Sequence, residues 1–173
     1  MMKEKSVPIR ETGTEPGRSI RGKIIARATP EQAETLTQIA LAAKRHWGYP
    51  DAWIQLWSPS LTITPEFIEA HETYVAWMEE QPAGFCAISR ENEVANVEHL
   101  WVAPAYIGKG VGSTLFEYML SRCKELGVQV LKIESDPNAQ GFYERMGARK
   151  VGEVVGEVDG HPRLLPILEM KIQ

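Results

Sequence analysis

The sequence predicts a mixed α+β fold in a single domain, with a mostly antiparallel sheet of seven strands and one βαβ unit at its centre. Three observations predict this class. Several β-type runs follow one another with only short turns between them, which is typical of antiparallel pairs. One glycine-started helix lies between two further β-type runs, and such a crossover joins parallel neighbours. The length of 173 residues, 43% of them hydrophobic, suits one domain with a sizeable core.

The first half of the chain is predicted to contain one strand and two helices. KIIARA, residues 23–28, is a short strand signal. Thr29-Pro30-Glu31-Gln32 then supplies an N-cap, a first-turn proline and a capping-box glutamine, so a helix should run to about His46. A second helix should begin at Thr64-Pro65 and run to about residue 71. WGYPDAWIQLWSPSL, between the two helices, holds three of the five tryptophans.

The second half is predicted to form a meander, a crossover helix and a final hairpin. TYVAWME, GFCAIS and VANVEHLWV are separated by turns at EQPAG and RENE, which indicates three antiparallel strands. The helix that follows should end at about Leu126, before Gly127, because one apolar face runs through Val111, Leu115, Met119, Cys123 and Leu126. The order is completed by the strand VQVLKIES, a short helix Asp136–Met146, and a hairpin of ARKVGEVVGEV and LLPILEMKI.

Residues 1–22 are predicted to be a disordered or tag-like arm, which leaves residues 23–173 as the domain. Pro8, Pro16 and scattered Gly, Thr and Ser are typical of such an arm. Residues 1–23 hold six Lys and Arg against three Glu, so the remainder holds 13 basic and 20 acidic residues. Because this acidic body carries no basic patch in its sequence, we expect no nucleic-acid partner.

Membrane and metal functions are not predicted either. No stretch approaches the roughly 18 apolar residues of a membrane span, and MMKEKSVPIR lacks the apolar core of a signal peptide. We therefore expect a cytoplasmic protein without a membrane partner. Cys86 and Cys123 have no CxxC spacing and lie in apolar runs, so we expect two buried thiols and no structural metal.

Three alternating glycines mark the start of the crossover helix. Gly108, Gly110 and Gly112 each cost roughly 0.5–1 kcal/mol against alanine in a regular element, so a function should compensate them. Backbone N–H groups at a helix N-terminus are unpaired and lie at the positive end of the macrodipole, and a chain without Cβ atoms lets a phosphate approach them. Ser113 can add a donor. The simpler alternative is a tight turn that needs positive φ.

Two nucleotide-binding motifs fit this loop poorly. A P-loop requires GxxxxGK[ST], which the chain does not contain here. A dinucleotide-binding GxGxxG motif matches at Gly108 and Gly110 but has Ser113 in its third position, although Glu134 follows at the ribose-binding distance. That loop should also follow the first strand of the fold, whereas here it follows a meander. A dinucleotide-dependent oxidoreductase therefore stays an alternative hypothesis.

Two motifs of this region resemble those of the GCN5-related N-acetyltransferases (GNAT). The family has [QR]-x-x-G-x-[GA] after a strand ending in V-x-P, and this chain has Val102-Ala103-Pro104 followed by IGKGVG at residues 107–112. The family motif N-x-x-A-x-x-F-Y-E-x-x-G-F corresponds to DPNAQGFYERMGA at residues 136–148. The resemblance covers about residues 23–172. It implies a V-shaped splay between the fourth and fifth strands and acetyl-coenzyme A as the ligand.

The resemblance also implies which residues bind the cofactor. The pyrophosphate is expected on the glycine loop and the pantetheine arm between the splayed strands. The residues expected to bind it are Leu100, Trp101, Val102, Ile107, Gly108, Lys109, Gly110, Val111, Gly112, Ser113, Asn138, Phe142 and Tyr143. Ile107 replaces the usual Gln or Arg, so the backbone must suffice there. Asp136 replaces the leading Asn of the second motif, and Asn138 is the candidate to take over part of its contact.

The expected reaction is direct attack of an amine on the thioester. Family positions on the fourth strand make Glu98 the candidate base, and Asn96 is expected on the same strand face. His99 should alternate to the other face and be packed. Tyr143 matches the family tyrosine that protonates the departing thiolate, with an apolar anchor as its simpler role. Backbone N–H groups near Leu100–Val102, where the family strand carries a bulge, are expected to bind the oxyanion.

The acceptor site is the least defined. By resemblance, residues 47–61 and 155–165 wall it, and the candidate substrate residues are Trp47, Tyr49, Trp53 and Asn96. Simple packing of the aromatic residues is the alternative.

The expected function is acetyl transfer to a primary amine of a small molecule, or else of a peptide or protein. A catalytically silent acyl-coenzyme A sensor on the same fold is the alternative. No sequence feature fixes the oligomeric state, and a homodimer is compatible with the resemblance.

Overall fold

The computed structural model describes residues 17–173 as an open sheet with helices on both faces. The strands are β1 Arg18–Ile20, β2 Lys23–Arg27, β3 Glu72–Met78, β4 Gln81–Glu91, β5 Val94–Val102, β6 Val130–Glu134, β7 Arg149–Val158 and β8 His161–Lys171. The helices are α1 Ala33–His46, α2 Asp51–Leu61, α3 Pro65–Ala70, α4 Val111–Glu125 and α5 Gln140–Arg145. The sheet order is β1-β2-β3-β4-β5-β6-β8-β7, and among these strands only β5 and β6 pair in parallel. The predicted fold class is confirmed.

The sheet has one strand more than predicted. β1 pairs antiparallel with β2 through a turn at Arg21-Gly22, where both residues have positive φ. This strand falls inside the range predicted as an arm, so the sheet begins at Arg18 rather than at Lys23. Three residues are too few to show an alternating pattern, and β1 forms because the edge of β2 offers it backbone partners. The rest of the predicted arm, residues 1–16, lies outside the described residues.

Capping residues mark both predicted helix starts, although Thr29 caps a 3-10 turn, Pro30–Gln32, that leads into α1. The backbone N–H of Thr29 donates to the Gln32 side chain at 2.9 Å, and Thr64 Oγ1 accepts from the Phe67 N–H at 3.0 Å. α2 was not predicted, because Pro50 and Pro59 flank or interrupt its sequence. The helix forms nevertheless, with Pro59 in its last turn, and it buries Ile54 and Leu61. Tertiary packing therefore overrides the local proline signal.

Each face of the sheet carries its own apolar core. On one face, α4 and α5 cover a cluster that includes the predicted stripe Val111, Leu115, Met119 and Cys123, all at most 1% exposed. On the other face, α1 and α3 cover a second cluster around Leu36, Ile68 and Phe85. Cys86 and Cys123 are both buried free thiols, as predicted. The sheet is thus shielded on both sides, and its strand ends and splayed edges are left for ligands.

A β-bulge at Glu98 reverses the alternation along β5. Ile88 pairs with Val97 and Ala87 pairs with His99, so Glu98 has no partner of its own on β4. Ala95 and Val97 pack towards α4 before the bulge, whereas Leu100 and Val102 do so after it. Asn96 and Glu98 therefore cannot be assigned to one face by counting alternate residues. The family bulge was expected at Leu100–Val102, but those residues pair in regular register with Cys86, Phe85 and Gly84.

The parallel pair separates where the splay was predicted. β5 and β6 pair only over Val94–Asn96 and Val130–Lys132. β5 continues for six residues to Val102, and alternate backbone groups along it turn away from β4 with no β6 residue opposite them. This opening leaves backbone donors and acceptors free for an extended ligand.

Residues 17–173 contain no helix of the length and apolar character that a bilayer crossing requires. Across the same range, no group of three or more His, Cys, Asp or Glu side chains is arranged to hold a metal ion.

Candidate active site

A cavity of about 630 Å³ opens at the splay between β5 and β6. Its walls come from the end of α1, from β5 after the bulge, from the glycine loop and first turn of α4, and from α5. All but Lys109 of the residues expected to bind the cofactor line it, and Glu98 does too. The chain thus brings the two sequence motifs and the candidate base to one place. The cavity is also lined by residues that sequence reasoning missed, including Ala43, His46, Ser135 and Arg145.

The glycine loop combines two kinds of glycine. Gly108 and Gly110 have φ of +80° and +78°, a left-handed conformation that side chains disfavour. Gly112 is different: it lies in the first turn of α4, where an added Cβ would sit 3.5 Å from the Phe142 ring and from Val102. The tight-turn alternative therefore explains two of the glycines, whereas a Cβ at Gly112 would make only ordinary van der Waals contacts, so protein packing does not require a glycine there.

Five backbone donors of this loop remain unpaired. Within residues 17–173, no hydrogen bond uses the N–H of Gly108, Gly110, Val111, Gly112 or Ser113. The Lys109 N–H, by contrast, donates to the Tyr106 carbonyl at 3.3 Å, and the helical ladder begins when the Thr114 N–H donates to the Gly110 carbonyl at 3.1 Å. Unpaired donors at the positive end of a 15-residue helix form a site for an anion. A diphosphate fits this donor set.

Tyr143 places a phenol at the cavity. Its side chain is 6% exposed and packs edge-on against Phe116 and Phe142. No hydrogen bond within the described residues involves its hydroxyl, although Tyr143 lines the cavity. Burial raises the pKa of Tyr143, and the nearby Cys86 thiol and Asp136 carboxylate raise it further. The phenol therefore stays protonated at neutral pH and can donate a proton.

Glu98 lies on the exposed side of the same cavity. Its carboxylate accepts a hydrogen bond from Ser89 Oγ at 2.6 Å. The bulge lifts Glu98 out of the β4–β5 ladder, which frees its side chain to face the opening. An exposed carboxylate with one hydroxyl donor has lone pairs left to accept a proton from an amine or from a water.

His99 is a packed histidine, as expected. Its Nδ1 accepts from the Trp101 Nε1–H at 3.0 Å, and its ring contacts Phe67 and Phe85. Burial lowers the pKa of His99 to about 4, which outweighs the opposite effect of Glu98. The imidazole is therefore neutral at physiological pH, and its acceptor nitrogen is already occupied.

Asp136 anchors a buried polar network beside the cavity. Its carboxylate accepts from Lys44 Nζ at 2.7 Å and from the Tyr49 hydroxyl at 3.0 Å. Burial alone would raise the pKa of Asp136, but the hydrogen bond and charge of Lys44 lower it below its ordinary value, so the carboxylate is ionised. The Asn138 amide donates to Tyr49 at 2.9 Å and to Asp136 at 3.0 Å. Asp136 thus faces α1 and the segment that joins it to α2, and its negative charge pairs with Lys44.

The aromatic residues predicted to wall the acceptor site pack mainly against other side chains of the protein. Tyr49 packs against Trp53 and Trp57, and Arg163 of β8 donates to the Tyr49 hydroxyl at 3.0 Å. Trp53 also contacts the ring of His161 at the tip of the β7–β8 hairpin, with centroids 5.4 Å apart. Tyr49 and Trp53 do not line the cavity, and neither does Asn96, which is paired with Ser89 and Lys132.

Trp47 is the one predicted substrate residue that lines the cavity, and it is 46% exposed. It follows directly after α1, so its ring lies beside Ala43 and His46 at the cavity mouth. An exposed tryptophan at a cavity edge can contact an acceptor.

The dinucleotide alternative lacks its expected scaffold. A doubly wound dinucleotide fold needs a parallel sheet with the glycine loop after its first strand. Here the loop follows β5, and the strands around the single parallel pair are antiparallel.

Curated proteins that resemble this chain in sequence include acetyltransferases. The peptidyl-lysine N-acetyltransferase YjaB of Escherichia coli is 33% identical over 91 residues, which are 53% of this chain and 56% of that protein. The chain spans about half the length of the curated relatives it matches.

Solved structures agree in fold. A GCN5-related N-acetyltransferase from Rhodopseudomonas palustris superposes with a TM-score of 0.69 at 17% identity, over 94% of this chain and 99% of that chain. The PaiA N-acetyltransferase of Thermoplasma acidophilum, solved in complex with coenzyme A, superposes with a TM-score of 0.70 at 20% identity, over 86% of this chain and 98% of that chain. The family model of the acetyltransferase (GNAT) domain matches residues 53–170, from α2 through β8. With its splayed strands, glycine loop and second motif inside that match, the chain belongs to the GNAT acetyltransferase family.

Proposed function

We propose that this protein transfers an acetyl group from acetyl-coenzyme A directly to a primary amine of a small molecule. The observation that carries the proposal is the row of unpaired N–H groups from Gly108 to Ser113, which opens onto the same cavity as Tyr143 and Glu98. An anion cradle, an acid and a base in one cavity match the needs of this reaction.

The glycine loop is the part that holds the diphosphate of the cofactor. The N–H groups of Gly108 and of residues 110–113 are the donors, since Ile107 offers no polar side chain. The open edge of β5 after Asn96 offers backbone partners to the two amides of a pantetheine arm. When bound there, acetyl-coenzyme A supplies an activated thioester.

Glu98 acts on the amine. An alkylammonium with a pKa near 10.4 must lose a proton before attack, which costs roughly 4–5 kcal/mol at neutral pH. The Glu98 carboxylate takes this proton, directly or through a water, while Ser89 holds it in place. The charge of the acidic body also favours a cationic acceptor.

Tyr143 acts on the leaving thiolate. Its raised pKa keeps the proton on the phenol until a stronger acceptor forms nearby. The absence of a partner for its hydroxyl among the described residues leaves that proton free to be donated into the cavity. A thiolate whose conjugate acid has a pKa near 8.5 is a moderate leaving group, so this proton assists the reaction rather than enabling it.

The closed acceptor side supports a small amine. Contacts of Trp53 with His161, and of Tyr49 with Arg163, join α2 to the β7–β8 hairpin. These contacts close the space between α2 and the hairpin, which favours a compact acceptor over an extended chain on this side. The similarity to a peptidyl-lysine N-acetyltransferase supports the alternative acceptor, a lysine side chain, which reaches a cavity through its narrow stem.

A catalytically silent acyl-coenzyme A sensor is the second candidate. It is favoured by Ile107, whose side chain has no polar group for the cofactor, and by the solvent exposure of Glu98. The enzyme and the sensor would bind the cofactor through the same glycine loop and differ only in whether acetyl transfer follows.

Thiol release over a panel of primary amines and a lysine-containing peptide tests the proposal. We expect acetyl-coenzyme A-dependent release with at least one small amine, with a higher kcat/KM than for the peptide. Cofactor binding without turnover over any acceptor would instead support the sensor, and a higher kcat/KM for the peptide would reassign the substrate class.

A further inference from the structure

A buried lysine from the other end of the chain lies against the glycine loop. Lys23 is the first residue of β2 and is 7% exposed. Its Nζ lies 3.7 Å from the point that a Cβ on Gly110 would occupy. β2 therefore brings a cation to the residue that precedes α4, although 87 residues separate the two along the chain.

The ammonium group of Lys23 has almost no partners. Its one hydrogen bond within the described residues goes to the Arg21 carbonyl at 3.4 Å, which is long for this donor. An ammonium has three N–H donors, so two are left without a protein acceptor. No carboxylate forms an ion pair with it among residues 17–173.

This arrangement is electrostatically unfavourable without an anion. Burying an ammonium that has only one long hydrogen bond and no carboxylate partner among the described residues is costly. The N-terminus of α4 adds roughly half a positive charge at the same place, and its N–H groups are unpaired as well. The Lys23 ammonium and the N-terminus of α4 are both positive and lie close together. An anion between or beside them would pair with both.

We propose that Lys23 binds a phosphate group of coenzyme A, as a specificity residue for the phosphorylated end of the cofactor. The inference rests on the proposed function, because it takes the glycine loop as the diphosphate site. It also offers a replacement for the side-chain contact that Ile107 cannot make. Lys23 does not line the cavity itself, so the phosphate it binds lies at the rim of the loop.

The test compares Lys23→Met with Lys124→Met. Methionine keeps most of the apolar stem and removes the charge. Lys124 is exposed near the C-terminal end of α4, about 20 Å from its first turn, so its variant controls for the change in net charge. Calorimetric titrations use coenzyme A, dephospho-coenzyme A and pantetheine, which carry three, two and no phosphate groups. Thermal melting of the apo proteins is measured in parallel.

We expect Lys23→Met to weaken coenzyme A binding about tenfold or more relative to Lys124→Met, because a charge-assisted phosphate contact is lost. Pantetheine affinity should be equal in the two variants. If dephospho-coenzyme A loses the same factor, the phosphate is in the diphosphate, and if it loses none, the phosphate is the 3′-phosphate. The apo melting temperature of Lys23→Met should equal or exceed that of the wild type, and Lys23→Arg should retain most of the affinity.

Coenzyme A affinity within twofold of the Lys124→Met value would overturn the proposal. So would a Lys23→Met chain that melts earlier or fails to fold, since that result makes Lys23 a structural residue. Neither result bears on the proposed function, which is tested by coenzyme A binding and amine turnover in the wild-type protein.

Discussion

At the scale of single residues, the site depends on how each polar group is partnered. The Tyr143 hydroxyl and the Lys23 ammonium lack strong acceptors within the described residues, whereas His99 Nδ1 and the Asp136 carboxylate accept hydrogen bonds from other side chains. Groups that are already hydrogen-bonded hold the structure, and groups left open face ligands.

Tyr143→Phe should separate catalysis from binding. The substitution removes one oxygen that has no hydrogen-bond partner among the described residues, so the melting temperature and coenzyme A affinity should stay unchanged. Turnover should fall about 100-fold, which is the usual contribution of a general acid. Steady-state thiol release and calorimetry measure the two quantities. Unchanged kcat would leave Tyr143 with a packing role only.

Glu98→Gln should lower turnover in a pH-dependent way. Glutamine can still accept the hydrogen bond from Ser89, so the geometry should be retained. We expect about a 100-fold loss of kcat/KM at pH 7 and a much smaller loss at pH 9.5, where free amine is more abundant. Because burial raises the pKa of Tyr143, the phenol stays protonated over this range and does not confuse the profile. An equal loss at every pH would remove Glu98 as the base.

At the scale of elements, sequence patterns predict those whose signal is local. The caps at Thr29 and Thr64 set the helix starts, and the apolar stripe of α4 set the face that it buries. The helix α2 and the strand β1 were not predicted. Tertiary packing stabilises α2 and pairing with β2 stabilises β1, and neither shows as a local sequence pattern. The bulge at Glu98 was not predicted for a related reason, since a register shift depends on how two strands pair.

The glycine loop allows a matched pair of substitutions. Gly108 and Gly127 both have left-handed φ, +80° and +74°, and a Cβ on either would meet nothing within 4 Å. Valine at each should therefore cost similar stability, about 1–2 kcal/mol. Only Gly108→Val should lower coenzyme A affinity, by about tenfold or more, because its side chain occupies the space in front of the unpaired N–H groups. Calorimetry and urea unfolding measure the two effects, and equal affinity in both variants would count against the cradle.

At the scale of the whole molecule, a buried charge network ties distant segments together. Asp136 follows β6, Lys44 belongs to α1, Tyr49 precedes α2, and Arg163 lies on β8 with a nitrogen 3.5 Å from the Asp136 carboxylate. The side chains of Lys44 and Asp136 are each only 10% exposed. The network therefore holds the segments expected to wall the acceptor site, residues 47–61 and 155–165, in place relative to the second motif at residues 136–148.

Asp136→Asn should destabilise the protein by about 3–5 kcal/mol at pH 7, because it leaves Lys44 and Arg163 without their anion. The folded-state pKa of Asp136 is lowered, so its contribution is present above the unfolded pKa of about 3.8 and is lost as the pH falls through the folded value. Wild type and variant should therefore converge in stability under strongly acidic conditions. Urea unfolding between pH 2 and 7 measures this.

The exposed pair Lys150–Glu153 provides the control. Glu153→Gln should cost less than about 1 kcal/mol, because solvent screens a surface pair. A loss for Asp136→Asn no larger than for Glu153→Gln would show that the network contributes little.

The sequence by itself determined the fold class and the glycine loop, because each is encoded in neighbouring residues whose spacing has a direct physical meaning, and the second motif was found by its resemblance to the family. Only the tertiary structure decided the register of β5 at Glu98, the partners of Asp136, and the approach of Lys23 to Gly110. Those features join segments up to 92 residues apart, and no local pattern records which distant side chain will fill a given gap. Long-range contacts are chosen by how whole elements pack, so they appear only when the chain is folded.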